Sequence, residues 1–184
     1  MVMVLKRTAP PFTASMEHND VENELVAISQ QATAGNVSGN TVINATTTGI
    51  AVCAGVVTDN TVGGVGALTS QSDTFTYTEE DGIDVYAAAT VTSNHILNSN
   101  CYGIRLVNGG ATSTNNIITS NGFDNCVPLF EAPVGINLNC YTNTISGNTI
   151  LGTATGIKYV PAAFKGENTF YSVPTINYEP GGGC

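Results

Sequence analysis

Residues 94–106 read Asn-His-Ile-Leu-Asn-Ser-Asn-Cys-Tyr-Gly-Ile-Arg-Leu, and the two ends of this stretch recur along the chain. The first end is an Asn-x-apolar cassette, and the second is a Gly-Ile-x-apolar cassette. Both alternate polar and apolar residues, which is typical of strands rather than helices. Asn cassettes begin at Asn19, Asn40, Asn60, Asn94, Asn115, Asn148 and Asn168, and Gly-Ile cassettes begin at Gly49, Gly82, Gly103, Gly135 and Gly156.

Successive cassettes are about 21 residues apart, and two intervals are longer by about a dozen residues. A fixed period of this length indicates a solenoid, in which each coil buries its apolar face against its neighbours. We therefore expect an all-β fold, a right-handed parallel β-helix of about six coils, with residues 1–184 forming one domain. Its regular coils should span about 19–172, with loop insertions at 63–80 and 122–133 on one side and a flexible tail at 179–184.

The stacked cassettes predict the core and a polar ladder. Cassette isoleucines from Ile50 to Ile157 should form one inner row. A second row should contain Val42, Val62, Ile96, Ile117 and Ile150. The cassette asparagines should join one coil to the next through their side-chain amides, as stacked identical residues do. The expected ladder residues are Asn40, Asn60, Asn94, Asn115, Asn148 and Asn168.

Composition restricts the partners. Charged residues make up 10% of the chain, and the net charge is −9. Because nucleic-acid-binding proteins carry a stripe of Lys and Arg, neither nucleic acid nor an anionic membrane is expected as a partner. No apolar run reaches the roughly 18 residues of a spanning helix, and no signal peptide is recognisable, since Lys6 and Arg7 follow the first apolar residues. The Asn- and Thr-rich composition favours an extracellular or cell-surface location.

Across about 19–170, the cassettes resemble the pectin-lyase-like superfamily of right-handed parallel β-helices, which includes pectate lyases, polygalacturonases and surface proteins of no known reaction. Asp81-Gly82-Ile83-Asp84 looks like the Asn-Thr-Asp-Gly-Ile-Asp motif of polygalacturonases, in which the Asp before Gly carries catalysis. The resemblance implies a catalytic role for Asp81, with Asp84 and Arg105 as further candidates. The chain departs from that pattern, because Glu79-Glu80 replace Asn-Thr and no Gly-His-Gly or Arg-Ile-Lys segment is present.

The x positions of the Gly-Ile cassettes should point outward and place Asp84 beside Arg105 on the next coil. This pair could bind a uronate or stabilise developing charge. The alternative is a surface ion pair between strands, worth about 0.2–1 kcal/mol. If the two loops wall a groove over this column, Tyr77, Tyr102 and Phe130 would add stacking surface for a ligand. The complete column is Ala51, Asp84, Arg105, Asn137 and Lys158.

The sequence gives little support for a bound metal or cofactor. No Cys/His spacing fits a metal site, and no cofactor is expected. The acidic run of Glu79, Glu80 and Asp81 could at most bind calcium weakly.

Five cysteines leave at least one thiol outside any set of internal disulfides. Counted from the asparagine column, Cys101 and Cys126 fall near one corner of adjacent coils, which makes them a candidate disulfide. Cys53 and Cys140 fall on coils about 14 Å apart, too far for a bridge. The alternative is five reduced thiols.

Regular Thr-x-Thr ranks would indicate an ice-binding face. Thr46-x-Thr48, Thr112-x-Thr114 and Thr153-x-Thr155 are present, but the coils between them interrupt the register. The sequence therefore argues against such a face.

These observations favour a non-catalytic extracellular or cell-surface β-helix module that binds a polysaccharide or a surface protein. The alternative is a polysaccharide lyase or glycoside hydrolase that acts on an acidic polysaccharide through Asp81, Asp84 and Arg105. The lack of a complete set of acid and base residues favours the first function. Because no capping helix is visible, we expect a fragment of a longer protein, an unusual cap or end-to-end self-association.

Overall fold

The computed structural model describes residues 3–5, 13–24, 26–31, 34–63, 81–99, 101–119, 133–138, 143–158 and 168–178. These residues contain no helix, and their strands form three sheets in which all neighbours are parallel. The chain visits the three sheets in turn and returns to each of them one coil later. The predicted parallel β-helix is thereby confirmed.

The strands are numbered in chain order. Sheet A contains β1 (Met3–Leu5), β4 (Val26–Gln30), β7 (Thr48–Val52), β10 (Asp81–Val85), β13 (Tyr102–Leu106), β16 (Val134–Asn137), β19 (Thr155–Lys158) and β21 (Thr175–Tyr178). Sheet B contains β2 (Thr13–Glu17), β5 (Ala34–Ser38), β8 (Gly55–Thr58), β11 (Ala89–Thr92), β14 (Thr112–Thr114) and β17 (Thr144–Ser146). Sheet C contains β3 (Asp20–Glu22), β6 (Thr41–Ile43), β9 (Thr61–Gly63), β12 (His95–Leu97), β15 (Ile117–Thr119), β18 (Thr149–Leu151) and β20 (Thr169–Tyr171).

The described strands make six complete coils, each with one strand in every sheet, from β2 to β19. The prediction of about six coils is therefore confirmed, and β1, β20 and β21 add partial coils at the two ends. The solenoid also extends beyond 19–172, because β1, β2 and β21 pair in register with their neighbours. The Gly-Ile cassette is absent near both ends of the solenoid, where Ala27-Ile28 replaces it in β4 and Ile176-Asn177 replaces it in β21.

Two apolar rows fill the interior, as the cassettes predict. The row in sheet A runs in register through the buried residues Ile28, Ile50, Ile83, Ile104, Ile136 and Ile157. The row in sheet C runs through the buried residues Val42, Val62, Ile96, Ile118 and Ile150. Ile118 takes the place that the sequence assigned to Ile117, whose side chain is 45% exposed.

One column of asparagines joins the coils at the corner between sheets B and C. At each step, an asparagine Oδ1 accepts from the backbone N–H and the Nδ2 of the asparagine one coil earlier, at 2.8–3.0 Å. This satisfies buried amides and sets the register of neighbouring coils. The ladder consists of Asn19, Asn40, Asn60, Asn94, Asn116, Asn148 and Asn168.

Asn116 occupies the ladder position that the sequence assigned to Asn115. Asn115 is exposed and has a φ of 56°, at the turn that Gly39, Ser93 and Gly147 occupy in other coils with φ of 62°, 56° and 66°. Because asparagine tolerates the left-handed conformation and also forms ladders, the pair Asn115-Asn116 fits the repeat in two registers. The cassette was therefore placed one residue too early, which also displaced Ile118 from the predicted core.

The glycine that opens the cassette in β10 lets the backbone approach the core. A Cβ atom on Gly82 would lie 2.7 Å from Cγ2 of the core residue Ile96 and 2.6 Å from the carbonyl oxygen of Gly103. Position 82 thus faces inward, as Ile83 does, and strict alternation fails there. As a result, Asp81 and Asp84 both lie on the outer face of sheet A, although they are three positions apart.

Candidate functional site

A polar cluster on the outer face of sheet A forms the candidate site. It consists of Asp81, Asp84 and Tyr86 in and just after β10, and of Tyr102 and Arg105 in β13. We refer to these five residues as the outer cluster. The register pairs Asp84 with Arg105, as the sequence predicts.

The two carboxyl groups of the outer cluster are held by their neighbours. Asp81 Oδ2 lies 3.6 Å from Arg105 Nη1, and Asp81 Oδ1 accepts from the Tyr102 backbone N–H at 3.2 Å. Asp84 Oδ2 accepts from the Tyr86 hydroxyl at 3.2 Å. The two carboxyls are close enough for Asp81 to affect the pKa of Asp84.

Burial controls the charges of the outer cluster. Asp81 and Asp84 are 0% and 1% exposed. Burial raises the pKa of Asp84 to about 6, although the nearby Asp81 side chain and the hydrogen bond from Tyr86 lower it. Burial, followed by the charge of Asp84, also raises the pKa of Tyr86. Burial lowers the pKa of Arg105, but a guanidinium stays protonated at neutral pH.

The geometry differs from the surface ion pair that the sequence allows. In the described part of the chain, Arg105 pairs with Asp81 rather than with Asp84, and both aspartates are buried. Further along the column, Asn137 and Lys158 are buried as well. The outward column is therefore enclosed, and its charges act in a medium where their interactions are stronger than in water.

The cluster contains two aromatic rings, and of these Tyr86 is exposed, whereas Tyr102 is buried and so is not open to a stacking ligand as the sequence predicts. The Arg105 Cζ atom lies 5.8 Å from the centroid of the Tyr102 ring, within the range of a cation–π contact. Tyr86 is 41% exposed and connects the buried carboxyls to solvent. Sequence reasoning missed Tyr86, although it follows Asp84 by two positions and so lies on the same face of an extended chain.

Several predicted residues lie outside the described part of the chain. These are Tyr77, Phe130, Cys126 and both calcium candidates in the loop, Glu79 and Glu80, and the loops 63–80 and 122–133 fall there almost entirely.

The two cysteines in the described part of the chain differ in their redox state. Cys101 is disulfide-bonded, and its partner lies outside the described residues, since Cys53 is a free thiol.

Within the described ranges, no group of three or more His, Cys, Asp or Glu side chains could hold a metal ion. The same ranges hold no helix long and apolar enough to cross a membrane.

Comparison with known proteins found no matching family model and no significant match to a curated protein or a solved structure.

Raising the pH should destabilise the folded protein through Asp84. Its pKa is about 6 in the folded state against an ordinary value of 3.8, so the folded state binds this proton more tightly than the unfolded chain. The resulting stabilisation is complete below about pH 4 and is lost as the pH rises through 6, a change of about 3 kcal/mol. Urea denaturation should show that the advantage of the parent over Asp84→Asn shrinks between pH 4 and pH 7.

Asp20→Asn, which removes an exposed carboxyl in β3, is the matched control. The groups around Asp84 are Asp81 on its own strand, Tyr86 just after that strand and Arg105, its register partner in β13. A parent-minus-Asp84→Asn difference that does not change with pH would contradict the raised pKa of Asp84.

Proposed function

We propose that this protein is a non-catalytic, extracellular β-helix module that binds carbohydrate through the outer cluster. The observation that carries the proposal is the grouping of the exposed Tyr86, hydrogen-bonded to Asp84, with Arg105, which pairs with Asp81 and lies beside Asp84 in the register. A charged donor such as Arg105 and an exposed aromatic ring such as Tyr86 are groups that orient a sugar in a binding site, and the buried Asp81 carboxylate pairs with the guanidinium. At the level of fold, the proposal places the chain with the pectin-lyase-like β-helices.

The burial of the carboxyl groups supports binding over hydrolysis. A glycosidase needs two carboxyls that reach the scissile bond from its two sides. Asp81 and Asp84 are 0% and 1% exposed, so neither carboxyl is open to a sugar or to an attacking water molecule. The groups of the cluster that a ligand can reach are the Tyr86 ring and the partly exposed Arg105 side chain.

A polysaccharide lyase or hydrolase is the second candidate, and one observation favours it. Burial brings the pKa of Asp84 to about 6, close to the pH at which a general acid or base works best. Arg105, 3.6 Å from Asp81, would then stabilise a developing negative charge.

Removing the exposed ring should weaken sugar binding. We expect Tyr86→Ala to bind oligogalacturonate about fivefold more weakly than the parent, because one aromatic contact contributes about 1 kcal/mol. Tyr171→Ala removes another exposed tyrosine, far from the outer cluster, and should bind like the parent. Calorimetric titration with oligogalacturonate and with a neutral oligosaccharide measures the affinities of the parent and of both variants.

Equal affinities for the parent and Tyr86→Ala, or no binding of either sugar, would remove the outer cluster as a carbohydrate site. In parallel, the parent is incubated with polygalacturonate and alginate, with and without calcium. Unsaturated uronate absorbance or new reducing ends would overturn the non-catalytic assignment in favour of the second candidate.

A further inference from the structure

The outer face of sheet B carries two columns of small, uncharged side chains. They stand four and two positions before the ladder residues Asn60, Asn94, Asn116 and Asn148, whereas the first coil carries Glu17 two positions before Asn19. Strands β11, β14 and β17 align Thr90-x-Thr92, Thr112-x-Thr114 and Thr144-x-Ser146 in register, and β8 continues the array with Val56-x-Thr58.

The regular register corrects the sequence analysis. The three Thr-x-Thr pairs that the sequence shows are not on one sheet. Thr112-x-Thr114 lies on sheet B, whereas Thr48 and Thr155, the second threonines of the other two pairs, belong to β7 and β19 of sheet A. Those pairs lie on another side of the solenoid and so could not align with it. The neighbours of Thr112-x-Thr114 are instead the ranks in β11 and β17, directly above and below it.

The array is uncharged and open to solvent. From β8 to β17 its eight side chains are exposed or half-buried, and none of them is ionisable. In the described part of the chain, the Thr90, Thr112 and Thr144 hydroxyls have no hydrogen-bond partner, so they can bond to water. In the other column, Thr114 Oγ1 donates to Thr92 Oγ1 at 3.2 Å.

The ladder makes the array rigid. Asn94 Nδ2 and Asn116 Nδ2 donate to the backbone oxygens of Val57 and Val91 in the preceding coil, at 2.9 and 3.0 Å. These bonds fix the end of each sheet-B strand relative to the next. Ladders of this kind keep stacked sheets flat, and β-branched threonine has few rotamers to lose on binding.

We propose that this face binds the surface of an ice crystal. Its side chains repeat about every 4.8 Å along the solenoid axis and about every 6.7 Å along each strand. The first distance is close to the shorter repeat of water oxygens on a prism face of hexagonal ice, and the second is about a tenth below the longer repeat, over an array only two residues wide. Hydroxyl groups can take lattice positions and methyl groups can fit between them, whereas an ion would hold its own hydration shell. The uncharged face, in a chain of net charge −9, therefore matches an uncharged lattice.

The test measures ice growth in the presence of the purified chain. The parent should shape single ice crystals into facets and inhibit recrystallisation of polycrystalline ice. Thr90→Tyr and Thr144→Tyr, each at an exposed position of the array, should lose most of both effects because a bulky ring lifts the face from the lattice. Thr169→Tyr, the same change at an exposed position of sheet C, should keep them.

Thermal melts followed by circular dichroism show which variants fold. Two array variants are made so that the test can still be carried out if one of them does not fold. Round, unshaped crystals with the parent would overturn the proposal, as would equal activity in all variants or equal loss in Thr169→Tyr. A pull-down with insoluble chitin and cellulose accompanies the ice-growth assay. Retention that Thr90→Tyr abolishes, without an effect of the parent on ice, would assign the face to a crystalline polysaccharide instead.

Discussion

Ile104→Asp should leave the protein unfolded at room temperature. Ile104 is fully buried at the centre of β13, and its register partners in the inner row are Ile83 and Ile136. The new carboxylate would have no partner in this apolar row, and burying an unpaired charge costs far more than the loss of a few methylene groups. Domains of this size are stable by only about 5–15 kcal/mol. Far-ultraviolet circular dichroism should show loss of the strand signal and no cooperative melt.

Ile117→Asp is the matched control. Ile117 is also an isoleucine in a central strand, but it is 45% exposed on the outer face of sheet C. A carboxylate there stays in water, so the melting temperature should change little. If both variants melt like the parent, or if Ile117→Asp unfolds and Ile104→Asp does not, the assignment of inner and outer faces is wrong.

Asn116→Ala should destabilise the protein by about 3 kcal/mol or more, the second large effect. Asn116 Oδ1 accepts from the backbone N–H and Nδ2 of Asn94 at 2.9 and 3.0 Å, and its Nδ2 donates to Asn148 Oδ1 and the Val91 carbonyl. Alanine leaves these buried groups without their partner, at about 1–3 kcal/mol for each unsatisfied group. Urea denaturation of the parent and the variant measures the difference.

Asn115→Gly tests the neighbouring position. Glycine adopts the left-handed turn at Asn115, where φ is 56°, without steric cost, and the exposed amide is no part of the ladder. We expect a change within about 0.5 kcal/mol of the parent. The reverse order, with Asn115→Gly strongly destabilising and Asn116→Ala neutral, would restore the register that the sequence first suggested.

Much of the fold can be predicted from the cassettes because a solenoid repeats one local pattern. Each cassette carries its own strand alternation and its own ladder amide, so a single coil such as 94–106 predicts all of its neighbours. The prediction fails where the local pattern is ambiguous. Two adjacent asparagines fit one repeat in two ways, and the end coils lack the Gly-Ile cassette.

The candidate site was only partly predictable. Register alone places Asp84 beside Arg105, and the sequence identifies both. The inward turn of Gly82, which brings Asp81 to the same face, depends on contacts with Ile96 and Gly103 that belong to other strands. The ion pair of Arg105 with Asp81 follows from that turn.

The sequence by itself determined the architecture, the inner rows and the ladder, because these depend on residues spaced by one coil along the chain. The tertiary structure alone decided which faces those coils present. It buried the outer cluster, which raised the pKa of Asp84 to about 6, and it aligned Thr90, Thr112 and Thr144 on sheet B. The physical reason is that lateral register depends on hydrogen bonds between coils, and burial depends on what packs over a strand. Neither is a property of a single segment of the chain.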